Sequence, residues 1–126
     1  MFSHVTIGTS DLDRAIAFYD AALAPLGIVR AGGKYTGWAA WHRPGEAAKL
    51  WVGLPLDGQP AGRGNGWMAA LAAPSRAAVD AAHAAALAAG GRDEGAPGPR
   101  PHYAPDYYGA YVRDPDGNKL HFVYRG

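Results

Sequence analysis

The sequence contains no cysteine, which excludes a disulfide framework, a thiolate nucleophile and a zinc–thiolate site. No uninterrupted apolar run approaches the roughly 20 residues that a membrane-spanning helix needs. Neither sign of charge dominates, because 12 basic and 11 acidic residues are interspersed, and no basic face for nucleic acid is evident. The N-terminus reaches Asp11 too early for a secretory signal peptide. We therefore expect a small cytoplasmic globular domain that binds neither membranes nor nucleic acid.

Large aliphatic side chains are also scarce. Alanine accounts for 27 of the 126 residues, whereas Leu, Ile, Val and Phe together number 21. Such a composition accompanies disorder when the net charge is also high. Here the formal net charge is only +1, and four Trp and seven Tyr supply apolar surface that can be buried. The composition therefore favours one folded domain.

The first half of the chain has the pattern strand, helix, strand, strand. Alternating apolar residues predict a strand over residues 2–8. Three- and four-residue spacing of apolar side chains predicts an amphipathic helix over residues 12–26, with Ser10 as its N-cap. Two further strands are predicted at residues 34–42 and 49–54.

A stretch without a periodic apolar face, residues 57–65, reads as a linker. After it the pattern of the first half begins again. The second half predicts, in chain order, a strand at 67–72, a helix at 76–89, a Gly/Pro-rich loop as far as Pro105, and strands at 107–113 and 119–124 joined by an Asp-Pro-Asp-Gly turn.

The restart indicates an internal duplication. Ile16 and Val79 are 63 residues apart, and so are Gly27 and Gly90 at the two predicted helix ends. Each half is too small to bury its own sheet face. We therefore predict one domain made of two modules, residues 1–56 and 66–126, that form a curved sheet with helices outside and a cleft inside.

Two motifs carry a family resemblance. His4-Val5, followed by Thr9-Ser10-Asp11-Leu12 and by Ala15-Ile16-Ala17-Phe18-Tyr19, resembles the opening of the vicinal oxygen chelate superfamily. Near the other end, Val112-Arg113-Asp114-Pro115-Asp116-Gly117-Asn118-Lys119-Leu120 resembles its final hairpin. The superfamily contains glyoxalase I, bleomycin-resistance proteins and extradiol dioxygenases. The resemblance spans essentially the whole chain.

The resemblance implies an α+β fold of two tandem βαβββ modules around a cup-shaped site, often completed by a homodimer. It also implies metal-ligand positions at His4 and about Trp51 in the first module, and at Met68 and His121 in the second. The Trp51 indole only donates, and the Met68 thioether suits hard divalent metals poorly. A metal such as Fe, Mn, Ni or Zn would therefore find an incomplete ligand set, with His4 and His121 as its protein ligands.

Other readings of these residues remain open. His4 and His121 are equally consistent with histidines whose ring nitrogens bond to backbone groups. Strand alternation predicts that His121 faces the cup, opposite Leu120 and Phe122. We expect the cup to be lined by aromatic and polar side chains, which we assign to Trp51, Met68, Trp41 (or Trp38), Tyr108 and, from the loop at 100–108, His102. That loop could equally be a proline-stiffened surface loop.

These residues support three functional hypotheses. The first is a metal-independent protein that binds a small molecule in an aromatic-lined cup, in the manner of bleomycin-resistance proteins. The alternative is a divalent-metal-dependent lyase or dioxygenase, in which the metal would polarise vicinal oxygens of the substrate. In the third, the chain is only a dimeric interaction scaffold. No substrate is indicated by the sequence.

Overall fold

A computed structural model of the chain describes residues 1–32 and 35–126, which form two α-helices and two four-stranded mixed sheets. In chain order the elements are β1 (His4–Gly8), α1 (Leu12–Leu23), β2 (Val29–Arg30), β3 (Trp38–His42), β4 (Lys49–Gly53), β5 (Ala69–Ala72), α2 (Arg76–Ala88), β6 (Arg92–Pro99), β7 (Tyr108–Arg113) and β8 (Lys119–Tyr124). Sheet 1 has the order β1-β4-β3-β2, and sheet 2 repeats it as β5-β8-β7-β6. The predicted α+β fold of two tandem βαβββ modules is confirmed.

Two strands lie where the sequence patterns predicted none. Strand β6 occupies part of the predicted Gly/Pro-rich loop, so the prediction of a loop is wrong over Arg92–Pro99. It is an edge strand with register shifts, and edge strands tolerate proline because one side needs no ladder hydrogen bonds. Strand β2 has two residues, too few for any alternation. Lys34, where the strand predicted at 34–42 starts, lies outside the described residues.

The first helix begins at Leu12 as predicted, but its N-cap is one residue later than predicted. Asp11, not Ser10, is its N-cap, and the Asp11 carboxylate accepts a hydrogen bond from the Arg14 amide at 3.0 Å. The Ser10 hydroxyl instead accepts from the Ala61 amide at 2.8 Å, which ties the linker to the start of the helix. Sequence reasoning placed the cap correctly within the loop but chose the wrong one of two adjacent capping residues.

The alanines explain how so few large side chains form a core. The inward face of α2 presents Ala78, Ala82 and Ala86, and α1 packs directly against this helix. Small side chains let helices and sheets approach closely, so one shared cluster buries the helix-facing sides of both sheets. No helix in the described part of the chain is long and apolar enough to cross a membrane.

The hairpin turn of each module also contacts the other module. In module 2, the Asn118 amide donates to the Gly8 carbonyl at 2.8 Å, and the Asp116 carboxylate accepts from the Thr9 hydroxyl. In module 1, the Arg43 guanidinium donates to the Ala72 carbonyl at 2.7 Å. These reciprocal contacts join the end of β1 to the turn before β8, and the end of β5 to the turn after β3. They fix the relative position of the two sheets.

Candidate functional site

Each sheet has one face against the helices and one face turned away from them, which we call its open face. The residues of each open face follow from the strand registers. On sheet 1 they are His4, Thr6, Gly8, Trp38, Ala40, His42, Lys49, Trp51 and Gly53. On sheet 2 they are Ala70, Ala72, Gly109, Tyr111, Arg113, Lys119, His121 and Val123, with Met68 and Tyr107 just before the strands.

His121 lies at the centre of the open face of sheet 2, and both of its ring nitrogens are bonded. Nδ1 is 2.9 Å from the Ala110 carbonyl, so Nδ1 carries the proton and donates. Nε2 then accepts from the Tyr107 hydroxyl at 2.7 Å. Burial lowers the pKa of His121, and the nearby charges of Arg100 and Lys119 lower it further. The imidazole is therefore neutral at neutral pH, with a fixed tautomer.

Two phenol rings enclose this imidazole. The Tyr111 ring stacks on His121 with centroids 4.1 Å apart and an interplanar angle of 8°. The Tyr107 ring is also nearly parallel to His121, at 5.7 Å. Gly109 makes the packing possible, because a Cβ at this position would lie 2.4 Å from the His121 Cε1 atom. The side chain of His121 is 1% exposed as a result.

Further phenols and cations surround the stack. Burial and a hydrogen bond with Tyr103 raise the pKa of Tyr111 to about 12, so its phenol stays protonated. The Lys119 ammonium and the Arg100 guanidinium lie 5.2 and 5.7 Å from the centroid of the Tyr111 ring, within cation–π distance. This part of the molecule combines hydrogen-bond donors, aromatic faces and positive charge.

The open face of sheet 1 carries indoles instead. Trp51 lies against Tyr35 with ring centroids 5.4 Å apart. Trp38 crosses over Gly53, where a Cβ would lie 2.0 Å from the Trp38 ring. His4 is exposed, and its Nδ1 is 2.9 Å from the Ser3 hydroxyl. The structure thus places His4 and Trp51 on sheet 1, and Met68 and His121 on sheet 2.

Two of the predicted binding residues face the helices. The Tyr108 hydroxyl donates to Asp80 of α2 at 2.6 Å, which contradicts the prediction that Tyr108 lines the cup, and the adjacent Tyr107 is on the open face instead. Trp41 is fully buried and its indole donates to Asp20 of α1 at 3.0 Å. Trp38, the alternative, is the indole on the open face.

The predicted loop residue His102 lies at the edge of the aromatic group of sheet 2. It is exposed, and its ring is 4.2 Å from that of Tyr103. Tyr103 in turn contacts Tyr107 at 5.1 Å. His102 therefore borders the aromatic group, two rings away from the bond between Tyr107 and His121.

The sequence and the fold of the chain are similar to those of known proteins. A family model described as the glyoxalase/bleomycin resistance protein/dioxygenase superfamily matches residues 1–122. The chain belongs to this superfamily. A glyoxalase/bleomycin resistance protein from Albidiferax ferrireducens T118 is 42% identical, with a TM-score of 0.89 and coverage of 100% of this chain and 99% of that chain.

More distant superfamily structures share the fold. A glyoxalase-related enzyme from Fulvimarina pelagi is 20% identical, with a TM-score of 0.75 and coverage of 98% of this chain and 87% of that chain. TnmS3, an antibiotic binding protein from Streptomyces sp. CB03234, is 21% identical, with a TM-score of 0.67 and coverage of 100% and 96%. No curated protein matches the chain.

The superfamily's metal-ligand positions do not fit a metal centre in this chain. Within the described residues, no group of three or more His, Cys, Asp or Glu side chains is arranged to hold a metal ion. The Nε2 atom of His121, the nitrogen left free by the Ala110 bond, is already bonded to Tyr107. Trp51 and Met68 supply no oxygen or imidazole donor at the other positions.

Sequence reasoning missed Tyr107 and Tyr111, although the hairpin contained the signal. The five residues 114–118 connect the paired Arg113 and Lys119, and counting back along both strands pairs Tyr111 with His121. Tyr107 is four residues before Tyr111, and residues an even number apart in a strand share a face. Both therefore belong on the open face of sheet 2. The hydrogen bond from Tyr107 to His121 has no such sequence signal, because it depends on the rotamers of both side chains.

Proposed function

We propose that this protein binds a small organic molecule on the open face of sheet 2 and that binding needs no metal. The observation that carries the proposal is the state of His121. Its imidazole is stacked between two phenols, and both ring nitrogens are engaged in hydrogen bonds. A metal ligand would need a free Nε2, whereas this buried, neutral imidazole holds the Tyr107 phenol and the Tyr111 ring in place on the open face.

The lining of this face supports ligand binding. Small-molecule sites combine apolar and aromatic walls with a few placed polar groups. Here Met68 and Tyr111 provide apolar surface, and Tyr107 and Lys119 provide polar groups, while His121 lies buried beneath them. A protein that acted only as a dimeric scaffold would have no use for this combination.

The metal-dependent lyase or dioxygenase is less well supported. Lewis-acid catalysis on vicinal oxygens needs a metal held by several protein ligands with open coordination positions. The described residues of one chain place His4 and His121 on different sheets, and they offer neither a carboxylate nor an imidazole at the other ligand positions.

A second copy of the chain is part of the proposal. Neither helix packs on an open face, and β1 and β5 are sheet edges. Exposed edges and apolar side chains such as Phe2 favour association. We expect a homodimer, which analytical ultracentrifugation would detect as a species of twice the 13.2 kDa chain mass. A monomer at micromolar concentration would contradict this part of the proposal.

The proposal is tested with protein treated with EDTA and a library of small aromatic compounds, using tryptophan fluorescence. We expect at least one chemical class to bind without metal. Tyr111→Leu should weaken that binding about tenfold, since stacking of aromatic rings contributes roughly 0.5–1.5 kcal/mol. Tyr108→Leu is the matched control, because Tyr108 lies on the same strand but faces α2.

Two outcomes would contradict the proposal. Binding that appears only after a divalent metal is restored would favour the metal-dependent alternative. Equal losses in Tyr111→Leu and Tyr108→Leu would show that the ligand does not occupy the open face of sheet 2.

A further inference from the structure

We infer that a cavity beside the open face of sheet 2 holds the oxyanion of a planar small molecule, a carboxylate or a phosphate. The inference rests on the proposed ligand-binding function and names the chemical class of the ligand. The cavity has a volume of about 710 Å³, which suits a small organic molecule. Its walls include the cations Arg63, Arg113 and Lys119 together with Trp67 and Met68.

Two cations of the cavity form a like-charge pair. Arg113 and Lys119 are directly opposite each other on β7 and β8, so both side chains project from the same face of sheet 2. Like charges in this arrangement repel and destabilise a sheet. Glu94, which is bonded to Arg113, offsets part of this repulsion, and a bound anion that contacts Lys119 would offset the rest.

The acidic side chains near the cavity are bonded to only some of its cations. Glu94 neutralises Arg113 through a bond of 2.8 Å to its Nε atom. Asp116, in the adjacent turn, is bonded to Arg14 at 2.9 Å and to Thr9. Among the described residues, neither Lys119 nor Arg63 forms an ion pair. Two positive charges of the cavity are therefore available to a ligand.

The turn before β8 leaves room for the side chain of Arg63 at the cavity. Arg63 belongs to the linker, and its side chain passes over the turn before β8. A Cβ on Gly117 would lie 3.2 Å from the Arg63 Cδ atom, so the glycine leaves room for the stem of the arginine. The linker thus contributes a cation to a cavity whose other cations come from sheet 2.

The apolar wall argues for a planar ligand. Trp67, two residues before β5, is 44% exposed. A tight turn holds it, in which the Trp67 amide donates to the Gly64 carbonyl at 3.1 Å. A Cβ on Gly64 would lie 3.0 Å from the Trp67 Cβ. Flat molecules stack on such an indole, whereas their anionic group is drawn to the cations beside it.

The test uses three nearly isosteric ligands of different charge, 2-naphthoate, 2-naphthamide and 2-naphthamidine, titrated calorimetrically into the full chain. We expect 2-naphthoate to bind at least tenfold more tightly than 2-naphthamide, and 2-naphthamidine to bind most weakly. The preference should shrink as salt is raised, because exposed charges are screened. 2-Naphthyl phosphate distinguishes the two oxyanions, and the tighter of the two identifies the ligand group.

Variants locate the anion. Lys119→Met should reduce the affinity for 2-naphthoate about tenfold and leave that for 2-naphthamide unchanged. Lys49→Met is the matched control, because Lys49 starts β4 as Lys119 starts β8, and its ammonium bonds to the Ala47 carbonyl. Arg63→Gln is a second probe in the exposed linker, where a substitution leaves the sheet intact.

The failures of the two proposals are distinguishable. If the acid and the amide bind equally, or if Lys119→Met and Lys49→Met behave alike, the oxyanion site is wrong while ligand binding by sheet 2 stands. If the naphthyl compounds do not bind but the library yields neutral ligands of sheet 2, the oxyanion site is again wrong. Absence of binding by every class contradicts both proposals.

Discussion

The two open faces have the same backbone and different chemistry. Trp51 and His121 occupy equivalent positions, each two residues after the lysine that starts the last strand of its sheet. The neighbour of Trp51 across the ladder is Ala40, whereas the neighbour of His121 is Tyr111. A large indole over a methyl group makes an apolar surface. An imidazole stacked on a phenol makes a polar, titratable one.

The comparison shows how duplication permits specialisation. Each module keeps its helix, its strand order and a turn that contacts the other module, and these features determine the fold. The open faces contribute little to the shared core, so their side chains can differ without loss of the fold. In this chain the stacked phenol and imidazole rings lie in module 2, whereas Trp51 of module 1 occupies the position equivalent to His121.

The largest expected effect comes from the glycines that accommodate the two key rings. Gly109→Ala would place a Cβ against the buried His121 ring and 3.2 Å from the Phe122 carbonyl. We expect it to lower the free energy of unfolding by about 2–3 kcal/mol, as overpacking does, and to abolish ligand binding. Urea denaturation and the binding assay measure the two effects.

Gly53→Ala is the counterpart on sheet 1. Its Cβ would meet Trp38, which is only half-buried and can move toward solvent. We expect a loss of about 1 kcal/mol and unchanged ligand affinity. Equal effects of the two glycine substitutions on binding would contradict the assignment of the site to sheet 2.

An intermediate effect is expected at the reciprocal turn contacts. The Asn118 amide group is buried and donates to the Gly8 carbonyl and to Asp114, so Asn118→Ala removes both bonds, although Asp114 still accepts from Tyr19 and from two backbone amides. We expect a loss of about 2 kcal/mol in the free energy of unfolding. Arg43→Ala should cost only about 1 kcal/mol, because water can replace the partly exposed Arg43 at Leu26 and Ala72.

Denaturation of both variants checks this order. A larger loss for Arg43→Ala would mean that module 1, rather than module 2, supplies the stronger contact between the modules.

The smallest expected effect is the pH dependence that only the open face of sheet 2 should show. The pKa of His121 is lowered in the folded state, chiefly by burial, while the unfolded value is about 6.5. Between the two values the unfolded chain binds more protons, so stability falls as pH falls through 6.5 toward the folded pKa. The stabilisation is fully present above about pH 6.5.

Thermal denaturation between pH 7.5 and 5.5 measures the effect. His121→Gln should have a lower melting temperature at pH 7.5 but a flatter dependence on pH. An equally steep dependence in the variant would show that another group titrates in this range.

The fold could be predicted from the sequence because local sequence patterns specify most of its helices, strands and turns. The helix periodicities, the repeated spacing and the Asp114–Gly117 turn each specify a local structure, and together they specify two modules. Strand β6 could not be predicted, because its glycines and prolines are typical of loops and its pairing with β7 supplies the stabilisation.

The site could be predicted only in part. Alternation placed His121 correctly, because its neighbours Leu120 and Phe122 are large and apolar. The assignment of Trp41 to the open face was wrong because the sequence does not show which residues of β3 and β4 pair across the loop between them. The cavity with Arg63 depends on how the linker crosses sheet 2, and no local pattern encodes that path.

One measurement tests the central claim most directly, that the open face of sheet 2 binds its ligand without metal. The indole N–H signals of the four tryptophans are followed by NMR while 2-naphthoate, or a ligand from the library, is added to EDTA-treated protein. We predict a saturable shift of the Trp67 signal, assigned with Trp67→Phe, and the same midpoint after zinc or manganese is added. A Trp67 signal that stays unchanged until the metal is restored would contradict the account.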